Sequence, residues 1–349
     1  MPHLGRYPTP VTELTHAAAA AGLPRGALLA KRDDLTSDVY GGNKVRKLER
    51  LLEEAKARGA RRVVTIGAIG SHHVLATAIF GRAEGFEVDA ILAPQTDTPH
   101  AEKVARVGAT LGYTAYPVGS FAAVPLAVAR RMRRGAYLIP PGGSSVTGSL
   151  GFVDAGLELA EQIARGELPR PASVVVALGS GGTAAGLLVG LEQAGLLVGS
   201  GGAPPVELVA VQVVDPPFGS AAHTLSLALA IRRRMKAPLT RAAITRLSQS
   251  LRVVRAYLGH GYGSPTPEGE AATMLAARDG LTLDPTYTAK TFAAAVEEAR
   301  TRRVSGPVLF WMTLSATGPF ERLLSGAPPL DALDPRLRRL LRAAAPQMP

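Results

Sequence analysis

The stretch Ser173-Val174-Val175-Val176-Ala177-Leu178-Gly179-Ser180-Gly181-Gly182-Thr183-Ala184-Ala185-Gly186 decides the fold class. Its apolar run reads as a strand buried on both faces, its glycines as a tight turn, and the small residues beyond as a helix start. Short β-rich runs recur at 62–67, 88–92, 114–118, 137–140, 208–213 and 307–312. Amphipathic or alanine-rich helices separate them, for example 45–58 with apolar Val45, Leu48, Leu51, Leu52 and Ala55. This alternation predicts an α/β protein, with open, twisted, mostly parallel sheets flanked by helices. The glycine- and proline-bearing stretch 140–151 divides the strands into two groups and so predicts two sheets. Gly199 to Pro205 reads as an exposed loop and 343–349 as a frayed tail.

The length of 349 residues suits one large domain or two modest ones. An apolar content of 46% excludes global disorder, and the lack of cysteine excludes disulfides, zinc–thiolate and iron–sulfur sites and a cysteine nucleophile. A net charge of +11 invites a nucleic-acid or membrane-surface reading. The cations are mostly arginine, clustered at Arg130 to Arg134, Arg232 to Lys236 and Arg336 to Arg339 in helical patterns. Aromatic residues make up 5% and do not alternate with the arginines, so no base-stacking platform is expected and the charge reads as solvated helix faces. The runs 63–81 and 171–191 approach membrane-spanning length, but glycine and polar residues break both. With no apolar leader in 1–11, a cytoplasmic protein without membrane or nucleic-acid partners is expected.

In folds of this kind ligands gather at the C-terminal ends of parallel strands. Tyr40-Gly41-Gly42-Asn43-Lys44 places a lysine in a first helical turn with Asn43 as its N-cap. A cation there opposes the helix dipole, which favours the neutral amine; either a nucleophile or a solvent-facing lysine fits. Gly179-Ser180-Gly181-Gly182-Thr183 presents successive backbone N–H groups suited to phosphate. It also matches G-x-G-x-x-A, which keeps a nicotinamide-dependent oxidoreductase open, although the acid expected about twenty residues on is missing. Gly67-Ala68-Ile69-Gly70-Ser71-His72-His73 is again strand, turn and helix start, with Ser71 as a cap and N–H groups for a carboxylate. His72 and His73 diverge on a helix, so no metal is expected. Tyr262, in Gly259 to Pro265, and Tyr287, in Asp284 to Lys290, each come from a turn, where a phenol acts as an acid, stacks on a ring or serves structure.

A nucleophilic lysine, a phosphate cradle, a carboxylate-sized site and two turn tyrosines together suggest pyridoxal 5'-phosphate. Taken in order from Pro8 to Phe320, the segments resemble the fold-type II pyridoxal-phosphate enzymes of the 1-aminocyclopropane-1-carboxylate deaminase / D-cysteine desulfhydrase family. The most specific match is Lys31-Arg32-Asp33-Asp34-Leu35-Thr36 followed by Gly41-Gly42-Asn43-Lys44-Val45-Arg46-Lys47-Leu48-Glu49. The resemblance implies a large cofactor domain over 1–45 and 156–349, a small domain over 46–155, and a homodimer. It implies that Lys44 holds the cofactor as the internal aldimine and moves protons. Asn43 meets the ring hydroxyl and Gly179, Ser180, Gly181, Gly182 and Thr183 the phosphate. Ser71 takes the substrate carboxylate, with His72 and His73 beside it. Tyr262 and Tyr287 flank the ring, and Tyr262 also meets the substrate. Thr288 and Thr313 lie on the cofactor side.

Thr288 stands where the cyclopropane deaminases carry Glu, so the resemblance implies a lyase of D-cysteine-desulfhydrase type. Such an enzyme eliminates a Cβ leaving group from a small amino acid to give a 2-keto acid and ammonia. The chain departs from the pattern in three places. Gly70-Ser71-His72-His73 replaces Gln-Ser-Asn-His, Leu75 replaces an arginine, and Met312-Thr313-Leu314-Ser315 replaces His-Thr-Gly-Gly. These changes alter the carboxylate cradle and the pocket beside the ring. They leave cyclopropane-type deamination or racemisation of another amino acid open.

Overall fold

A computed structural model describes residues 4–216, 218–301, 306–314 and 319–342. Ser315 and the tail 343–349 lie outside the described residues. In chain order the strands are β1 (Val11–Glu13), β2 (Leu28–Arg32), β3 (Arg62–Ala68), β4 (Glu87–Ala93), β5 (Gln95–Thr96), β6 (Thr114–Pro117), β7 (Ala136–Ile139), β8 (Ser173–Leu178), β9 (Glu207–Gln212), β10 (Leu251–Val254), β11 (Val308–Met312) and β12 (Leu341–Arg342). They divide between two compact units, Met1–Lys47 with Ser144–Ala316 and Leu48–Gly143 with Thr317–Pro349.

The first unit holds a sheet of order β1-β2-β11-β8-β9-β10, parallel except for the edge strand β1. Alternate residues of its central strands face opposite cores. Val174, Val176 and Leu178 pack with Leu208, Leu309 and Trp311 on one face, and Val175 and Ala177 with Val209, Val211 and Phe310 on the other. This double burial explains the continuous apolar run of β8. Helices Val146–Ala164 and Gly182–Gln193 cover the first face, and helix Thr288–Thr301 contributes Phe292 and Val296 to the second. The first pair approach at glycines: a Cβ on Gly186 would fall 2.3 Å from Ser149 O and one on Gly190 2.4 Å from Val153 O.

The second unit holds the parallel sheet β6-β4-β3-β7 and the short pair β12-β5. Here the structure departs from the expected division into 46–155 and 156–349, because 319–342 falls in this unit and 144–155 in the first. The cause is visible in the contacts. Leu341 and Arg342 pair with Gln95 and Thr96, and Leu333 and Leu340 are buried with Ile69, Val74 and Leu92. β1, β2, β5, β10 and β12 were not expected as strands.

The glycine contacts set a stability test. Gly190→Ala drives a methyl into Val153 O and lowers stability by about 1–3 kcal/mol. Gly119→Ala, where a Cβ has no heavy atom within 4 Å, changes it by less than about 0.5 kcal/mol. Denaturant unfolding of the two variants checks both values.

Candidate active site

The first unit gathers its candidate residues at the C-terminal ends of β2, β8 and β11. After β2 the chain makes a short turn and doubles back through Gly41 and Gly42. The Gly42 N–H donates to Asp33 O at 2.8 Å and the Asn43 N–H to Thr313 O, just past β11, at 2.7 Å. A Cβ on Gly41 would sit 1.9 Å from Asp34 O, so the turn closes only around glycine. Helix Lys44–Ala57 begins here. Asn43 binds across the site instead of serving as the expected cap: its carboxamide donates to Thr183 Oγ1 at 3.1 Å and accepts from Lys44 Nζ at 2.8 Å.

Beneath the turn lies a buried ionic box. Arg46 pairs with Asp33 at 2.9 Å and with Glu158 at 2.9 Å, and Lys31 pairs with Glu158 at 2.5 Å. Trp311 Nε1 donates to Asp33 Oδ2 at 2.8 Å. Burial alone raises the Glu158 carboxyl, but the Arg46 and Lys31 charges override it and hold that group down at about 2. Arg46 lies two residues beyond Lys44, so these pairs fix the helix start that carries the amine.

Loss of hydration pushes the Lys44 amine from 10.5 down to about 8, while the Asp284 carboxylate pulls the other way. Desolvation thus does what the sequence reading ascribed to the helix dipole. Lys44 Nζ stands 5.9 Å from the centroid of the Tyr287 ring. The Tyr287 hydroxyl bonds the Tyr262 hydroxyl at 2.8 Å. Burial raises both phenols above their ordinary range, so both are protonated at neutral pH. One phenol donates to the other, and the acceptor's own proton stays outside that bond. Asp284 accepts from the N–H groups of Thr286, Tyr287 and Thr288 and from Thr288 Oγ1. The Thr288 hydroxyl is therefore committed to holding Asp284. Thr313 is buried at the end of β11.

The glycine loop follows β8. Gly181 takes φ +86° at the N-cap of helix Gly182–Gln193, a conformation that favours glycine. The Gly182 N–H donates to Ser144 Oγ at 3.1 Å, Ser144 Oγ lies 2.7 Å from Ser180 Oγ, and Lys47 Nζ donates to Ser144 Oγ at 3.1 Å. Lys47 is 2% exposed, and burial, then the Lys44 charge, pushes its amine well below the ordinary value. A dianion in the cradle would offset both penalties. Lys47 escaped the sequence reading, although its place three residues after Lys44 puts the two side chains on one helix face. Ser149, also missed, has a buried hydroxyl without a protein partner among the described residues, 2.9 Å from where a Cβ on Gly182 would lie.

Ser71, His72 and His73 lie in the second unit, at the start of helix His72–Ala83 after β3. Ser71 occupies the N-cap position, yet its hydroxyl makes no cap bond. Of the turn's N–H groups, Gly70 N donates to Gln95 Oε1 at 3.2 Å and Ser71 N to Ala68 O at 3.0 Å. The histidines diverge as expected: His72 Nε2 meets His100 Nε2 at 2.9 Å, and His73 Nε2 meets Thr65 Oγ1 at 3.2 Å. Leu75 is buried.

Comparison with known proteins bears on this site. The family profile of pyridoxal-phosphate-dependent enzymes matches residues 3–313. A D-cysteine desulfhydrase of Salmonella choleraesuis strain SC-B67 is 34% identical over 358 aligned residues, covering 96% of this chain and 99% of the relative. The crystal structure of an ACC deaminase homologue superposes with a TM-score of 0.73 at 29% identity, covering 92% of this chain and 94% of the other. The processed threonine deaminase isoform 2 of Solanum lycopersicum, at 16% identity and a TM-score of 0.58, shares the fold-type II architecture. Among the described residues no helix is long and apolar enough to cross a membrane.

The Lys44 shift sets a titration. Amine labelling of cofactor-free protein at Lys44 is expected to have its midpoint near 8, and Asp284→Asn to move it lower. A midpoint at 10.5 contradicts the assignment. Between these two pH values the unfolded chain binds the extra proton, so this group's contribution to stability rises with pH across that window.

Proposed function

The chain belongs to the pyridoxal-phosphate-dependent enzyme family, and from that premise we propose a lyase that eliminates the Cβ substituent of a small amino acid, D-cysteine or a close analogue. The observation that carries the reading is Lys44, an amine pushed down to about 8 beside Asn43. The donor set fits the cofactor: a nucleophilic amine for its aldehyde, and backbone N–H groups, two hydroxyls and buried Lys47 for its phosphate. Similarity to D-cysteine desulfhydrases over nearly the whole chain supports the choice of substrate.

When bound, pyridoxal 5'-phosphate withdraws electrons from the substrate Cα and stabilises the carbanion left by proton loss. In the proposed reaction Gly179, Ser180, Gly181, Gly182, Thr183, Ser144 and Lys47 bind the phosphate. Asn43 would hold the ring hydroxyl, and Thr313 would serve the ring nitrogen. Thr288 serves the same side through Asp284. Ser71, with His72 and His73 on its helix, takes the substrate carboxylate. Lys44, neutral over part of the physiological range, removes the Cα proton. Tyr262, supported by Tyr287, donates a proton to the departing sulfur. D-Cysteine and water thereby become pyruvate, ammonia and hydrogen sulfide, in which every atom is accounted for. The same reading makes the enzyme a homodimer, which sedimentation checks, with a cytoplasmic location and no nucleic-acid partners.

Ammonia, keto-acid and sulfide assays over D- and L-amino acids and 1-aminocyclopropane-1-carboxylate test the substrate. Sulfide and pyruvate from D-cysteine support the proposal. Ammonia from the cyclopropane substrate alone, or racemisation without ammonia, overturns it. Tyr262→Phe is expected to lower kcat by about 100-fold with KM little changed, as loss of a proton donor requires.

A further inference from the structure

The loop 255–265 that carries Tyr262 has little regular structure of its own. Its internal turn bonds include Leu258 N to Arg255 O at 3.1 Å, Gly261 N to Leu258 O at 3.4 Å and Ser264 N to Gly261 O at 3.4 Å, so two of the three are long. Charged side chains hold it from both sides. From the first turn of helix Thr288–Thr301, Lys290 reaches under the loop, and its Nζ donates to Leu258 O at 2.7 Å and to Gly261 O at 3.3 Å. Lys290 is 0% exposed, and burial, its largest influence, pushes the amine down while Asp215 and Asp284 hold it up. From the loop just after β9, Asp215 Oδ2 accepts the Tyr262 N–H at 3.1 Å. That approach needs glycine before the tyrosine: Gly261 has φ +115°, and a Cβ there would sit 2.8 Å from Asp215 Oδ1.

A lysine buried in this way carries a desolvation cost that a methionine of similar length avoids. An ammonium can donate to two carbonyls at once, which a methionine cannot. We propose that Lys290, together with Asp215, is a positioning residue that clamps the 258–262 loop and so holds the Tyr262 hydroxyl against Tyr287. The inference rests on the reading of Tyr262 as the proton donor. Lys290 acts through the loop and takes no proton from the substrate.

The test compares parent holoenzyme with Lys290→Met, Lys290→Arg, Tyr262→Phe and the Lys290→Met/Tyr262→Phe double variant. Amide hydrogen exchange in the peptide covering 257–264 is expected to rise at least ~10-fold in Lys290→Met, with the rest of the unit unchanged. Its kcat is expected to fall ~10-fold with KM within about twofold, and Lys290→Arg to recover part of both effects. In the Tyr262→Phe background Lys290→Met lowers kcat no further, because the group it positions is gone. Unchanged loop exchange overturns the clamp, as does an equal loss of kcat in both backgrounds. Raised exchange with a fully active Tyr262→Phe upholds the clamp and overturns the part given to Tyr262. Should Lys290→Met fail to accumulate, Asp215→Ala loosens the same loop from its other side, and the same outcomes decide.

Discussion

The site depends on the pinning of one turn. Lys44 is held where it is because Gly42 and Asn43 are bonded to Asp33 O and Thr313 O, while Arg46 is locked between Asp33 and Glu158. These partners come from the ends of β2 and β11 and from helix Val146–Ala164, so the amine is fixed by the sheet and its covering helix together. Breaking one buried pair of this kind costs about 3–5 kcal/mol, since the remaining charge stays buried without its partner. A side chain with four rotatable bonds thereby starts from a backbone that cannot drift, a condition for reaction between groups that must meet within a few tenths of an ångström.

The same economy of charge runs through the unit. The buried ammonium and guanidinium groups of Lys31, Arg46, Lys47 and Lys290 each meet a carboxylate, a hydroxyl or a backbone carbonyl. Asp284 stands at the centre, holding the turn of Tyr287 through three N–H groups and opposing the downward push on the Lys44 and Lys290 amines. Of the arginine clusters that make the chain basic, one joins this arrangement against the expectation of solvated faces: Arg232 is buried and pairs with Glu192. In the last turn of helix Val124–Arg131, Arg130 and Arg131 stand on an element with no buried residue.

Where the chain is buried on both faces, its sequence states the fold. Ser173–Leu178 and the glycines after it are legible because a central parallel strand must be apolar throughout and the loop must turn at positive φ. Lys44 is legible because glycines, an amide and a helix start cluster around it. β2 is not: Leu28–Arg32 ends in Lys31 and Arg32, and Lys31 is tolerated in the interior through the Thr9 carbonyl and through Glu158 and Gln162, more than a hundred residues away. β12 is a two-residue strand that follows a charged helix, and its partner β5 lies far off in sequence. Lys290 reads as an ordinary helix lysine because its acceptors are backbone carbonyls of a distant loop, which leave no mark in the side-chain pattern.

The central claim is that Lys44 carries the cofactor. Reduction of the purified holoenzyme with borohydride, followed by proteolysis and mass spectrometry, tests it directly. A phosphopyridoxyl mass addition is expected on the peptide containing Lys44, and its loss together with the protein's yellow colour in Lys44→Ala. Addition on Lys47 or another lysine, or a colourless protein that cannot be reconstituted, would contradict it.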